Sequence, residues 1–274
     1  VLPLAAGAAR VAVIGPNADD PMALFGNYSF QNHVASHFPD APQERAATVL
    51  EALRERLGTE RVFFAEGCRI LASKGNVSDD RSGIAAAAEL ARGAGVAIVV
   101  VGDKAGHFRT GTVGEGSDAD SLALPGVQGE LVEAVLDAGV PTVIVLVNGR
   151  PFDLSRIAGR AAAIVEAWFP GQDGGAAIAD VLVGAVNPSG KTSLTFARGA
   201  GAMPRSYDAK QLSRGVPPLP GFEAVFPFGH GLSYTRFAYT DLSITPAAIE
   251  THGTVEIACT LRNEGGRAGT EVVQ

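Results

Sequence analysis

The sequence predicts an α/β fold: a three-layer α/β/α sandwich with a mostly parallel sheet, followed by a short all-β segment. Three observations point there. The runs 96–101 (VAIVVV) and 142–147 (TVIVLV) are almost wholly apolar, as strands covered on both faces must be. Segments of helical spacing alternate with them, and strands alternating with helices form a parallel sheet. Beyond residue 240 the hydrophobic period falls to two, the mark of a half-buried strand.

The elements follow in order. Residues 10–14 read as a buried strand ended by the turn Gly15-Pro16-Asn17. Residues 45–57 set Ala47, Leu50, Leu53 and Leu57 at helical spacing, and Gly58 stops the run. A second strand covers 61–65, and an alanine-rich helix covers 82–92. Residues 126–138 form an amphipathic helix with Leu131, Val135 and Leu136 on one face. A short strand at 162–166 precedes a helix over 172–183, ended by Gly184. Residues 186–240, rich in Pro and Gly, read as an extended segment wrapping the domain. In the tail, Val255, Ile257, Cys259 and Leu261 alternate as a half-buried strand, Asn263–Gly266 is a turn, and Thr270–Gln274 opens another strand. The expected domains are 1–240 and 241–274, the second truncated, because two or three strands alone leave open edges. Both ends read as cut, since residue 1 is Val without the basic flank of a signal peptide and the last residues stop within a strand.

Composition narrows the function. The chain has 274 residues, 46% hydrophobic and 19% charged, which excludes a disordered chain. No apolar run reaches the roughly 18 residues of a membrane helix, so a soluble protein with no membrane partner is expected. A net charge of −7 without a basic cluster argues against nucleic acid. Cys68 and Cys259 follow no metal-ligand spacing and read as two buried free thiols, which leaves the compartment, cytoplasmic or secreted, open. His33 and His37 have i,i+4 spacing, but their Asn, Ser and Pro neighbours do not read as a helix, so they are surface or packing histidines and no metal is expected.

In a parallel sheet every strand carboxyl end lies on one edge, where ligands bind. Four loops leave that edge: Gly15–Asn17, Gly102–Asp118, Asn148–Pro151 and Phe169–Gln172. The second is the longest and glycine-rich, which marks it as functional. Within it, Gly114-Glu115-Gly116-Ser117-Asp118 holds a carboxylate between two glycines, the exposure a general acid needs. The competing reading is a solvated Glu in a flexible loop. Trp168, the sole Trp, follows a strand toward the same edge, either to pack on a ligand ring or to fill an interdomain contact. His107 and Phe108 sit in the long loop. Asn148 and Arg150 fix a strand-end turn, and Phe226–Tyr234 packs as part of the wrapping segment. Asn187–Thr192 imitates the end of a phosphate loop, but Ala185 stands where that motif needs Gly, and a helix precedes it.

Seven blocks in order resemble family 3 glycoside hydrolases, mainly β-glucosidases with β-xylosidase relatives. They are Val11-Ala-Val-Ile-Gly-Pro-Asn-Ala18, Gly114-Glu-Gly-Ser-Asp118, Leu122-Ala-Leu-Pro-Gly-Val-Gln128, Val147-Asn-Gly-Arg-Pro151, Ala167-Trp-Phe-Pro-Gly-Gln172, Asn187-Pro-Ser-Gly-Lys191 and Phe226-Pro-Phe-Gly-His-Gly-Leu-Ser-Tyr-Thr235. The resemblance implies that residues 1–240 are the family's C-terminal α/β sandwich and that the tail begins its fibronectin type III-like domain. It implies retaining hydrolysis with Glu115 as acid/base, and with Asp118, Trp168, Phe108 and His107 near substrate. It also implies an Asp nucleophile on an N-terminal (β/α)8 barrel, a partner domain whose Ser-Asp-Trp-like block this sequence lacks. The expected partners are a β-linked oligosaccharide or an aryl or alkyl glycoside, with no cofactor, and the 274 residues alone are expected to be inactive. Ala119 stands where many members have Arg after the Asp, which bears on an arginine contact to substrate rather than on Glu115. The alternative is a non-catalytic carbohydrate-binding or scaffold module using the same edge.

Overall fold

The computed structural model describes residues 1–5, 7, 10–34, 37–38, 40, 45–73, 75–203 and 224–274. In chain order the strands are β1 (Val11–Ile14), β2 (Val62–Ala65), β3 (Leu71–Ser73), β4 (Asn76–Val77), β5 (Val96–Gly102), β6 (Thr142–Val147), β7 (Ala163–Glu166), β8 (Phe196–Ala197), β9 (Ala224–Phe226), β10 (Phe237–Thr245) and β11 (Glu256–Asn263). The α-helices are α1 (Val49–Leu57), α2 (Ile84–Arg92), α3 (Gln128–Leu136) and α4 (Gly174–Val183).

The central sheet is parallel throughout, in the order β2-β1-β5-β6-β7. Strand β5 lies at its centre, and all seven of its residues are buried, because a helical layer excludes water from each face. On one face Val11, Val13, Ile98, Val100, Val143 and Val145 pack with Leu50 and Leu53 of α1 and Ile178 and Leu182 of α4. On the other, Ala12, Ile14, Val99, Val101, Ile144 and Leu146 pack with Ala87 and Ala91 of α2 and Leu131, Val132 and Val135 of α3. Each of these large aliphatic side chains stabilises the fold by about 1.5–3 kcal/mol relative to exposure. Edge strand β7 is only partly buried.

Capping sets the helix boundaries. Helix α1 starts later than its apolar spacing suggests, because Thr48 takes an extended conformation (φ −73°, ψ 163°) and accepts a hydrogen bond from Glu51 N, while the Glu51 side chain accepts from Thr48 N. Helix α4 ends where Gly184 turns left-handed (φ 78°). Helix α3 opens with Gln128, a fully buried amide, whose Oε1 accepts from Gly102 N and whose Nε2 donates to Gly102 O, both at 2.9 Å. That side chain satisfies the backbone at the end of β5, where the ladder stops.

The segment after α4 returns to the domain. Asn187 Oδ1 accepts from Tyr234 N (2.7 Å) and Ser233 Oγ (2.9 Å), and Tyr234 Oη donates to Val181 O (2.7 Å). Strands β8 and β9 pair antiparallel. Thus 187–192 is bound to 227–235 as structure, not shaped as a phosphate loop. The part of the expected wrapping segment at 204–223 lies outside the described residues.

Four local expectations are corrected. Residues 30–34 do form one turn of π-helix: Ser29 opens it, its Oγ accepting from Asn32 N (3.3 Å) and its carbonyl from His33 N (2.8 Å), while Asn32 Nδ2 ties the turn to the carbonyls of Phe25 (2.9 Å) and Gly26 (3.0 Å). Strand β11 is exposed along its length, not half-buried, because among the described residues it pairs only with β10 in a two-stranded ribbon. Cys259, which it carries, is therefore exposed, while Cys68 is buried, with its thiol pushed up to about 12 by burial. Residues 270–274 form no strand; instead Glu271 reaches Lys191 (3.3 Å) and Tyr239 (3.1 Å).

Replacing Gln128 by Met is expected to lower unfolding stability by about 2 kcal/mol, because it leaves the buried Gly102 amide unpaired. Replacing Thr48 by Ala is expected to cost about 1 kcal/mol by removing the α1 cap. Urea unfolding of each variant measures both.

Candidate active site at the sheet edge

The sheet order reverses beside β1: β2 lies on one side of it and β5 on the other. Helix α1, which follows β1, and helix α3, which follows β5, pack on opposite faces, the reversal that opens the crevice where parallel sheets bind ligands. Gly15 makes the close turn possible, since a Cβ there would lie 2.1 Å from Val100 O. Asn17, next in the loop, is buried and donates through Nδ2 to Asp103 O and Val147 O, both at 3.2 Å. It thereby joins the ends of β1, β5 and β6.

The long loop after β5 is folded, not a flexible tether. Ala105 bridges to Val113, Gly106 N donates to Val113 O (3.0 Å), and Thr112 N donates to Lys104 O (2.8 Å). At its base Asp103 is fully buried and accepts from Thr112 Oγ1 (2.8 Å) and Gly149 N (3.3 Å). Arg150 Nε lies 3.4 Å from its Oδ1. Burial pushes the Asp103 carboxyl above its usual range, against the opposing pull of Arg150, Thr112 and Gly149. Lys104 pairs with Asp20 on the segment after β1.

The tip of the loop presents Glu115 to solvent. Phe108 N donates to Glu115 O (2.7 Å), and Ser117 Oγ accepts from Arg109 N (3.0 Å). These bonds hold Phe108 (φ 46°) and Arg109 (φ 65°) in left-handed conformations that non-glycine residues rarely adopt. Gly114 (φ 124°) has no room for a side chain, since a Cβ would lie 2.3 Å from Gly106 O and 2.7 Å from Asn27 Oδ1. The segment after β1 meets this tip. With the Asn27 amide oriented to satisfy both its ends, it donates to Gly106 O (3.0 Å) and accepts from Glu115 N (3.1 Å). Tyr28 Oη donates to Glu115 Oε2 at 2.7 Å.

Of the residues singled out in the sequence, the structure brings Glu115, His107 and Phe108 together. His107 lies 6.1 Å from Phe108, 5.8 Å from Tyr28 and 4.7 Å from His33, by ring centroids. Phe108 is 71% exposed, a bare aromatic face beside the carboxylate. Asp118 is exposed three residues beyond Glu115. Trp168 (φ 53°) belongs to a different group: its ring packs 6.1 Å from Phe196, against the core layer of α2 and α3. Arg150 and Asn148 shape the turn after β6, with Asn148 Nδ2 donating to Arg150 O (2.7 Å). Among the described residues no group of three or more His, Cys, Asp or Glu is arranged to hold a metal ion, and no helix is long and apolar enough to cross a membrane.

Sequence reasoning missed Asn27, Tyr28, Asp103 and Glu166. Asp103 and Glu166 carried a readable signal, since each is the first charged residue at the end of an apolar strand. Glu166 is half-buried; its Oε1 accepts from Trp168 N (3.1 Å) and its Oε2 lies 3.5 Å from Asn148 Nδ2. Burial pushes its carboxyl up to about 8, and the nearby Asp103 adds to the rise.

Comparison with known proteins places the chain in a family. The sequence profile described as the glycosyl hydrolase family 3 C-terminal domain matches residues 1–234. The chain belongs to glycosyl hydrolase family 3. The chain is 35% identical over 269 residues to a β-xylosidase of Formosa agariphila, covering 96% of this chain and 35% of that protein. It is 33% identical over 292 residues to the periplasmic β-glucosidase of Salmonella typhimurium, covering 96% of this chain and 36% of that one. The chain thus spans about a third of the length of the curated relatives it matches. Among solved structures, a β-glucosidase from Erythrobacter marinus superposes with a TM-score of 0.82 at 32% identity, over 98% of this chain and 37% of that one. A Listeria innocua β-glucosidase in complex with glucose superposes with a TM-score of 0.78 at 27% identity, over 98% and 35%.

The raised Glu166 carboxyl makes family 3 domain stability depend on pH. Its folded value of about 8 lies above the ordinary 4.5, so the folded state holds this proton more tightly than the unfolded chain. The stabilisation is complete below about 4.5 and is lost as pH rises through about 8. Glu166→Gln, uncharged at every pH, should therefore gain stability relative to the parent between these values and hold a constant difference above them. Urea unfolding across that range checks this, and a pH-independent difference would exclude it.

Proposed function

We propose that this chain is the acid/base-bearing part of a retaining β-glycosidase that releases terminal β-linked glucose or xylose. The observation that carries this reading is Glu115: an exposed carboxylate at the sheet's ligand-binding edge, on a hydrogen-bonded loop, in the family's Gly-Glu-Gly-Ser-Asp block. The names of its relatives support the substrate class, and so do Listeria innocua β-glucosidase structures holding glucose and laminaribiose.

In this reading Glu115 gives its proton to the glycosidic oxygen, which keeps the electron pair of the breaking C–O bond. An Asp on an N-terminal barrel domain attacks the sugar from the other side and forms a glycosyl-enzyme. Glu115, now a carboxylate, then takes a proton from the water that hydrolyses that ester. Retention requires the two carboxyl groups about 5–5.5 Å apart. This sequence supplies only one of them, because it contains no Ser-Asp-Trp-like block. Phe108 and His107 would line the leaving-group side, with Asp118 and Trp168 as weaker substrate contacts. Hydrolysis by two carboxylates and water calls for no cofactor. Residues 241–274 would begin the family's fibronectin type III-like domain, which accounts for a ribbon that is exposed when alone.

In the complete enzyme, Glu115→Gln should lower kcat/KM about 10³-fold on alkyl β-glucosides, whose leaving groups need protonation. The loss on a dinitrophenyl β-glucoside, which leaves unaided, should stay within about tenfold. Equal losses on both would defeat the acid role. The 274 residues alone should not turn over an aryl β-glucoside, and full turnover would defeat the need for a second domain.

A further inference from the structure

We propose that Tyr28 is a positioning residue for Glu115, its hydroxyl occupying Oε2 so that Oε1 is the oxygen that exchanges the proton with substrate and water. The proposal rests on the acid/base reading of Glu115. It comes from how that residue is held. Its backbone N–H is bound by Asn27 (3.1 Å), its backbone C=O by Phe108 N (2.7 Å), and its carboxylate by Tyr28 (2.7 Å). Two of the three ties come from adjacent residues on the loop after β1. That loop is itself pinned, since Asn32 Nδ2 binds the carbonyls of Phe25 and Gly26, and Gly171 N donates to Leu24 O (2.9 Å).

Tyr28 is 67% exposed, so its ring contributes little to the core. Its ring contacts His33 at 5.4 Å and His107 at 5.8 Å by centroids, which aim the hydroxyl at the carboxylate. The neighbouring carboxylate raises the Tyr28 phenol above its ordinary value, so the hydroxyl stays a donor at neutral pH. A hydrogen-bond donor fixed on Oε2 costs Glu115 rotational freedom about its last bond. It leaves Oε1 for the exchange, the condition for a proton to pass without a search. In the first step the Oε1–H bond breaks and the proton moves to the glycosidic oxygen. In the second, the attacking water returns a proton to Oε1. Tyr28 keeps its own proton in both.

The test compares Tyr28→Phe, Tyr28→Ala and Glu115→Gln in the complete enzyme. Tyr28→Phe keeps the ring and loses the hydroxyl. It should lower kcat about tenfold on alkyl β-glucosides, leave KM and the thermal midpoint in place, and change the first step with a dinitrophenyl β-glucoside little. Tyr28→Ala should lose at least as much. Full activity of the Phe variant beside a defective Ala variant would overturn the proposal, because the ring rather than the hydroxyl would then matter. A Phe loss that falls on KM, or equally on the first step with both substrates, would also overturn it. Leaving-group dependence in Glu115→Gln without any in Tyr28→Phe refutes this proposal alone, whereas a silent Glu115→Gln refutes the acid/base reading beneath it.

Discussion

The buried carboxylate of Asp103 ties together the loops that make this edge of the sheet. Taking a lone carboxylate out of water costs several kcal/mol, so it must be matched at close range. Here the Thr112 hydroxyl from the long loop after β5, and the Gly149 amide and Arg150 from the turn after β6, match it. Thr112 in turn accepts from Lys104 N (3.0 Å), closing the base of the long loop. The Asp103 carbonyl accepts from Asn17, which brings in the turn after β1. Removing one partner leaves the buried carboxylate short of a match, which couples the loops that hold it.

The same edge shows why the polar groups lie where they do. Inside the sheet almost every side chain is apolar, because both faces are covered, and Thr142 at the start of β6 donates its hydroxyl to Val140 O (3.0 Å). At the carboxyl ends the ladder stops, and backbone groups need new partners. Gln128 answers this at Gly102, and Asn148 and Glu166 answer it beyond β6 and β7. The cost is a half-buried carboxylate at Glu166, whose proton is held to about 8 by burial, with the nearby Asp103 adding to the rise. One of the two carboxylates is paired with a cation and the other keeps its proton, which is how two acids share one low-dielectric edge.

The fold was legible in the sequence wherever a residue's environment is set by periodicity. Fully apolar 96–101 and 142–147 had to be central strands, and Gly184 had to end a helix. The position of Glu115 on the longest edge loop was legible for the same reason. What was not legible depended on contacts between distant residues. Tyr28 lies 87 positions from Glu115, and no local pattern joins them. The π-turn at 30–34 looked unhelical because polar residues weaken helices, yet Asn32 stabilises the turn through its side chain. The alternation at 255–261 promised a buried face, but burial is a property of what lies opposite, and here only β10 pairs with that strand.

Strand order is the reason that loops so far apart in sequence meet at one carboxylate. Strands β1 and β5 are neighbours, and adjacent strands lie about 4.8 Å apart. The loop after β1 can therefore lay Asn27 and Tyr28 directly against the loop after β5. Inserting one strand between them would add about 5 Å, more than a hydrogen bond spans. A displacement of about 1 Å at a reacting group costs about 100-fold in rate, so a carboxylate on an exposed loop needs anchors at both base and tip. Buried Asp103 supplies the base, and the β1 loop supplies the tip. Both anchors depend on the one place in the sheet where the winding reverses, so the topology and the placement of Glu115 are the same fact seen at two scales.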